Sequence, residues 1–147
     1  MHSVDEAVKI AKKHNITAAL INYGGDIFAY GTKDNAEPFS IGIKDPKNPH
    51  ENIAIVPLSN QALTTSANYE RNHKIEGKEF SHIINNSLRK RSKNQIKIIS
   101  STIISDSVLR SGVYSTVFML DMDIDIPKEM GVILVDEAFK LHQNILQ

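Results

Sequence analysis

Apolar positions first recur with a helical period. In SVDEAVKIAKKHN, Val4, Ala7, Val8 and Ala11 share one helical face, and Ser3 followed by Glu6 forms a capping box. The pattern predicts an amphipathic helix ending near Asn15. AALINY and DIFAYG then read as two strands returning on each other across Gly24 and Gly25, because glycine adopts the positive φ that tight reversals need. Alternation in FSIGIK and NIAIVPLS predicts two further strands, separated by the proline-bounded DPKNPHE, with Pro57 suited to an edge or a bulge. HKIEGKEFSHIIN reads as two short strands around Glu76 and Gly77, and QIKIISS as another strand. SDSVLRSGVYSTVFML is long and apolar enough for a helix, although Gly112 weakens its middle by about 1 kcal/mol relative to alanine. GVILV predicts a strand, and DEAFKLHQNIL a closing helix begun by Asp136. No internal repeat or interdomain linker interrupts this series. The expectation is a single α+β domain over residues 1–147, with a mostly antiparallel sheet and flanking helices.

Composition narrows the partners. A chain of 147 residues can bury a real core without a metal or disulfide. Its 17 basic and 17 acidic residues cancel, which argues against a dedicated nucleic-acid binder or electrostatic adhesion to an anionic membrane. The absence of cysteine excludes disulfides, iron–sulfur clusters and thiol catalysis, and leaves the compartment open. No apolar run reaches the roughly 18 residues that span a bilayer, and Met1 leads into a polar helical segment instead of a signal peptide. As written, the chain is expected to be soluble and to lack a transmembrane segment.

Several groups carry candidate chemistry, each with a plainer alternative. Asp121, Asp123 and Asp125 alternate as at the start of a calcium loop, but Ile126 and Pro127 stand where a turn glycine is needed, so an acidic solvated loop is expected. Arg89, Lys90, Arg91 and Lys93 could hold a phosphate, or form an ordinary exposed loop. The YGGDI turn could present backbone amides to a ligand, or simply close a hairpin. His2, His14, His50, His73 and His142 show no metal-ligand spacing and read as surface or helix-end residues. His82 differs, because Phe80, Ile83 and Ile84 surround it with apolar positions that would desolvate a titratable ring. It is either a satisfied core histidine or a site residue. Asp106 stands where a carboxylate can cap a first helical turn, and Arg110 follows four residues later, within reach of an i,i+4 ion pair.

The blocks HSVDEAVKIAKKHNITAALINYGGDIFAYG, TTSANYERNHKIEGKEFSHIIN and IKIISSTIISDSVL, in this order and spacing, resemble the FAD:protein FMN transferases. This is the ApbE family, formerly named thiamine biosynthesis lipoproteins. The resemblance runs from about Val4 to Leu120 and is to the C-terminal half of such an enzyme. It implies an α+β fold of the T-fold type and a flavin site completed by the family's other half. It also implies a reaction in which the FMN part of FAD moves to a threonine hydroxyl of a target flavoprotein, with AMP released and magnesium assisting. Such a site must neutralise the pyrophosphate, align the attacking oxygen and receive its proton. By the resemblance, Gly24, Gly25 and Asp26 fall on the family's GGD at the flavin site. Thr65, Ser66, Tyr69, Glu70 and Arg71 fall on its TSGxYER-like block. His82 falls on the histidine of its HIID block and becomes a catalytic candidate near the flavin diphosphate. Asp106 falls on the aspartate that ligates magnesium and supports catalysis.

The departures concentrate where the chemistry belongs. Asn85, Asn86 and Ser87 replace an acidic residue and a proline turn after the histidine, and Ala67 and Asn68 replace a glycine and its polar neighbour. Arg110 stands where the family has a metal-binding threonine, so its guanidinium could occupy the cation's place. Two functional expectations follow. One is an FMN-transferase-like enzyme, either a piece of a longer chain or completed by another copy or chain, that acts on FAD with magnesium. The other is a non-catalytic flavin-nucleotide-binding or dimerising module with a degenerate metal site. Family members are commonly exported lipoproteins, whereas this sequence shows neither a signal peptide nor a lipobox.

Overall fold

The computed structural model describes residues 2–68, 73–75, 78–80, 96–121 and 124–144. Helix α1 spans His2–Lys13 and buries Val4, Val8 and Ala11, three of the four apolar positions its period selects. It ends as the sequence predicts. Asn15 adopts a left-handed conformation (φ 57), and the Ile16 N–H reaches back to the Ala11 carbonyl at 3.0 Å, a closing geometry that a short polar side chain tolerates. Ser3 lies inside the first turn instead of preceding it.

Strands β1 (Ala19–Tyr23) and β2 (Asp26–Tyr30) form the expected hairpin, and β3 (Phe39–Lys44) pairs with β4 (Asn52–Leu58) as a separate two-stranded layer. Pro57 sits opposite Ser40 there, on a strand that pairs only with β3 among the described residues, the edge position a proline suits. The next strand, β5 (Gln61–Ala67), is not indicated by the apolar pattern. Short strands β6 (His73–Ile75) and β7 (Lys78–Phe80) pair antiparallel, as predicted on either side of Glu76 and Gly77. Strand β8 (Ile98–Ser105) begins and ends later than QIKIISS suggests, and helix α2 (Val108–Leu120) follows it.

The closing helix is not formed. β9 (Gly131–Asp136) extends through Asp136, and the chain turns back into β10 (Leu141–Asn144). Asp136 decides the outcome. Its carboxylate is buried and accepts from the N–H groups of Ala138 and Lys140, both at 2.9 Å, and from the His142 Nε2 at 2.8 Å. The residue that would have capped a helix instead fixes a tight reversal, in which Phe139 takes a left-handed φ of 59. His142 is therefore a strand residue bonded to a buried carboxylate, not a helix-end residue.

The main sheet has the order β1-β2-β5-β8-β9-β10, antiparallel at every pairing, so the expected α+β class with an antiparallel sheet is observed. One face packs against the β3–β4 layer through Ala29, Leu63, Ile104 and Ile133 meeting Ile41, Ile43, Val56 and Leu58. The other face carries the helices, with Val4 and Val8 against Phe28, Ala62 and Val108, and Phe118 and Met119 against Ile103, Val132 and Leu134.

Between β5 and α2 the contact is made by hydroxyls. Thr64 Oγ1 meets Ser111 Oγ at 2.9 Å and Ser66 Oγ meets Ser115 Oγ at 2.8 Å. These four hydroxyls are paired with one another, which lets small side chains bring helix and sheet close together. The first turn of α2 is capped twice. Ser107 Oγ accepts from the Arg110 N–H at 3.3 Å, and the Asp5 carboxylate of α1 accepts from Val108 and Leu109 N–H at 3.1 and 3.2 Å. Asp5 and Ser107 thus perform the capping that the sequence suggests for Asp106.

Candidate functional site

The β1–β2 hairpin closes through a two-residue turn in which Gly24 and Gly25 have φ of 63 and 96, backbone that a side chain would strain. Asn22 Oδ1 accepts the Gly25 N–H at 3.1 Å, so this amide serves the turn and not a ligand. Above both glycines the space is open among the described residues, with no atom beyond their chain neighbours within 4 Å of where a Cβ would stand. That openness continues into a cleft of about 390 Å³. Its floor is Leu63 and Thr65 of β5, one wall is the glycine turn with Asn22, and the opposite wall is Ile43 and Lys44 of β3. The volume lies toward the lower end of the range for small-molecule sites, and the lining combines aliphatic residues with an asparagine, a threonine and, among the described residues, one lysine.

The structure brings Gly24, Gly25 and Thr65 together at this cleft. The Thr65 hydroxyl is held by Thr102 Oγ1 at 2.8 Å, directly across the β5–β8 pair. Ser66 is the next residue on the strand and points to the opposite face, where Ser115 and Thr116 receive it at 2.8 and 3.5 Å. It is a packing residue of the helix side, not a lining residue of the cleft. Asp26 opens β2 opposite Tyr23, next to the glycine turn but not among the residues lining the cleft. Tyr69, Glu70, Arg71 and His82 lie outside the described residues, as do Asn85, Asn86, Ser87, Asp123 and the basic run from Arg89 to Lys93. Lys44, Asn22 and Ile43 were not singled out by sequence reasoning. The only available signal was the alternation of FSIGIK, which sets Ile41 and Ile43 toward the sheet and says nothing about which turn they approach.

Asp106 is not among the residues lining the cleft. It follows Ser105, the last residue of β8, whereas the floor residues Leu63 and Thr65 lie opposite Ile104 and Thr102. Its carboxylate, 68% exposed, is gripped by Arg110, whose Nη1 stands 3.0 and 3.1 Å from the two oxygens. The Arg110 Nη2 donates to Glu129 Oε1 at 3.0 Å. The bond to Glu129, and then that to Asp106, raises the guanidinium's pKa above its ordinary value, and the bond from Arg110 holds the Glu129 carboxyl below its own. The i,i+4 pair predicted from the sequence is therefore one arm of a three-residue clamp. Among the described residues no three histidine, aspartate or glutamate side chains converge as a metal site.

A six-stranded antiparallel sheet with helices on one face, a β-hairpin layer on the other and a glycine-turn cleft at its edge defines an α+β domain. The chain belongs to the ApbE family, whose sequence profile matches residues 2–128. It is 22% identical over 120 residues to the FAD:protein FMN transferase of Klebsiella pneumoniae, covering 81% of this chain and 34% of that protein. With the FAD:protein FMN transferase of Treponema pallidum it shares 30% identity over 89 residues, covering 54% of this chain and 25% of that protein. Among solved structures, the ApbE protein of Thermotoga maritima superposes with a TM-score of 0.81 at 24% identity, covering 97% of this chain and 48% of that one. The flavin transferase ApbE of Vibrio cholerae gives 0.72 at 19% identity, covering 97% and 46%. The chain thus spans about a third of the length of the curated relatives and about half of the solved chains.

Proposed function

We propose that this chain supplies a flavin-nucleotide-binding part of a site that transfers FMN from FAD to a threonine hydroxyl of a target flavoprotein. The observation that carries the reading is the convergence of Gly24, Gly25 and Thr65 on one open cleft beside Lys44, within a chain whose relatives are FAD:protein FMN transferases. A flavin ring can lie over the two glycines because no Cβ obstructs it, with Leu63 and Ile43 providing apolar contact and Asn22 and Thr65 providing polar edges. Among the described residues Lys44 is the basic residue lining the cleft, and it is proposed to meet the phosphate end. A cleft of about 390 Å³ accommodates one part of a dinucleotide, which fits a chain that spans about half of the solved family members.

In the proposed reaction the threonine oxygen forms a bond to the phosphorus of the FMN moiety. The bond from that phosphorus to the bridging oxygen breaks, AMP leaves with the bond's electrons, and the hydroxyl proton passes to a base. His82 is proposed for a place near the diphosphate on the strength of the family resemblance. Tyr69, Glu70 and Arg71 are proposed for the nucleotide on the same ground. The residues around Asp106 do not fit a magnesium ion, since a guanidinium already bridges its carboxylate and Glu129. No step is therefore assigned to the metal. That clamp favours a second reading, a flavin-nucleotide-binding module without catalysis of its own.

Incubation of the chain with FAD and a threonine-bearing acceptor protein separates the two readings. Transfer predicts covalent flavin fluorescence on the acceptor together with released AMP. FMN binding without either product selects the binding module, and no affinity for FMN or FAD contradicts both.

A further inference from the structure

We infer that Arg110 is the resident cation at Asp106 and keeps a divalent metal out of this position. One terminal nitrogen serves both Asp106 oxygens, at 3.0 and 3.1 Å, and the other serves Glu129 at 3.0 Å. The two carboxylates come from different parts of the chain, one just before α2 and one in the turn leading to β9, and a single planar fork joins them. Magnesium needs oxygen ligands at about 2.0–2.1 Å in near-octahedral order. An ion entering at Asp106 would have to displace the guanidinium, which then stays beside it as a second positive charge. Arginine cannot relieve that repulsion by losing a proton, since a guanidinium stays protonated in proteins.

Two other features act in the same direction. Asp106 stands just ahead of α2, whose N-terminal end carries partial positive charge that favours a carboxylate and opposes a cation. No third acidic or histidine side chain among the described residues completes a ligand set there. The clamp itself does not depend on flavin binding. Its consequence for the transfer reaction rests on the reading proposed above: charge on a bound nucleotide is met by side chains such as Lys44, and not by a metal held at Asp106.

Manganese(II) tests this without any flavin, because it takes oxygen ligands like magnesium and broadens nearby amide signals. The probe is Mn²⁺ alone, added to the full chain and to the Arg110→Thr and Arg110→Gln variants, the second keeping a long side chain without its charge. Selective broadening at Ser105, Asp106, Ser107 and Glu129 is expected at a Mn²⁺ concentration at least tenfold lower in the variants than in the parent chain. Selective broadening in the parent chain at the same concentration as in the variants overturns the inference. So does a folded variant, of either kind, that broadens no more readily than the parent, since the guanidinium would then not be what excludes the ion. A flavin-binding failure leaves these outcomes unaffected, so the two claims fail separately.

Discussion

Replacing Lys44 with glutamate is expected to weaken FMN binding about ten- to a hundredfold, while moving the melting temperature by no more than a degree or two. Lys44 ends β3 on an exposed position and lines the cleft opposite the glycine turn. A charge-assisted bond between an ammonium and a phosphate contributes about 1.5–3 kcal/mol, and each 1.4 kcal/mol is about a factor of ten in affinity. Glutamate removes that bond and adds a repulsive charge, whereas arginine at the same position keeps the attraction. Exposed substitutions away from caps and cores usually change stability by about 0.5 kcal/mol or less, so the effect belongs to binding and not to folding. The residual affinity of the glutamate variant should also depend less on salt than that of the parent, because a screened attraction has been removed. Calorimetric titration at two ionic strengths measures both. An unchanged affinity in the glutamate variant means that the phosphate does not lie beside Lys44.

The second large effect is on stability. Asp136→Ala is expected to cost about 2–4 kcal/mol, because it leaves the Ala138 and Lys140 amides and the His142 ring without their acceptor in a part-buried turn. At about 2–4 °C per kcal/mol for a chain of this size, the melting temperature should fall by roughly 5–15 °C. Asp136→Asn should fall between the two, since its amide oxygen can still accept but carries no charge.

The same group predicts a pH dependence. The bond from His142, followed by the Lys140 amide, holds the Asp136 carboxyl below its ordinary value of 3.8. A depressed folded-state value means that the unfolded chain binds the proton more readily. The contribution is therefore complete well above pH 3.8 and is lost as the pH falls through the lower, folded-state value. Denaturant titrations between pH 7 and pH 2 should show an acid loss in the parent chain that is reduced in Asp136→Asn. Equal acid profiles for the two chains contradict the assignment.

The sequence made local structure legible wherever one face of an element is apolar. The α1 stripe, the β1–β2 hairpin and the alternation of β3 and β4 all express a clean period, and each forms as read. β5 escaped because its central residues are Thr64, Thr65 and Ser66, which look like a polar loop until α2 supplies Ser111 and Ser115 as partners. Burial made possible by a hydroxyl on another element cannot be read from the strand alone. The closing segment failed for a related reason. DEAFKLHQNIL has a helix-like start, but the Asp136 carboxylate gains two amide donors within its own turn and a third donor from His142 of β10, and this local network outweighs propensity.

The candidate site divides along the same line. Family resemblance pointed to Gly24, Gly25 and Thr65, and the sheet places all three at one cleft. It could not separate Thr65 from Ser66, because that distinction depends on the side-to-side alternation of a strand that had not been recognised. Lys44 was invisible because it comes to line the same cleft as the glycine turn only when the β3–β4 layer folds over the main sheet through Ile41, Ile43, Val56 and Leu58. Arg110 was legible as a departure from the family pattern and as an i,i+4 partner of Asp106. Its second carboxylate, Glu129, lies 19 residues away, and only the tertiary fold brings it there.

Mapping FMN contacts residue by residue tests the central claim most directly. In an amide-resolved titration with FMN, the account predicts the largest shifts at Asn22 to Gly25, Ile43 and Lys44, and Leu63 to Thr65, with Asp106, Arg110 and Glu129 little changed. Shifts centred on Asp106, Arg110 and Glu129 with a silent cleft, or no shifts at millimolar FMN, would contradict it.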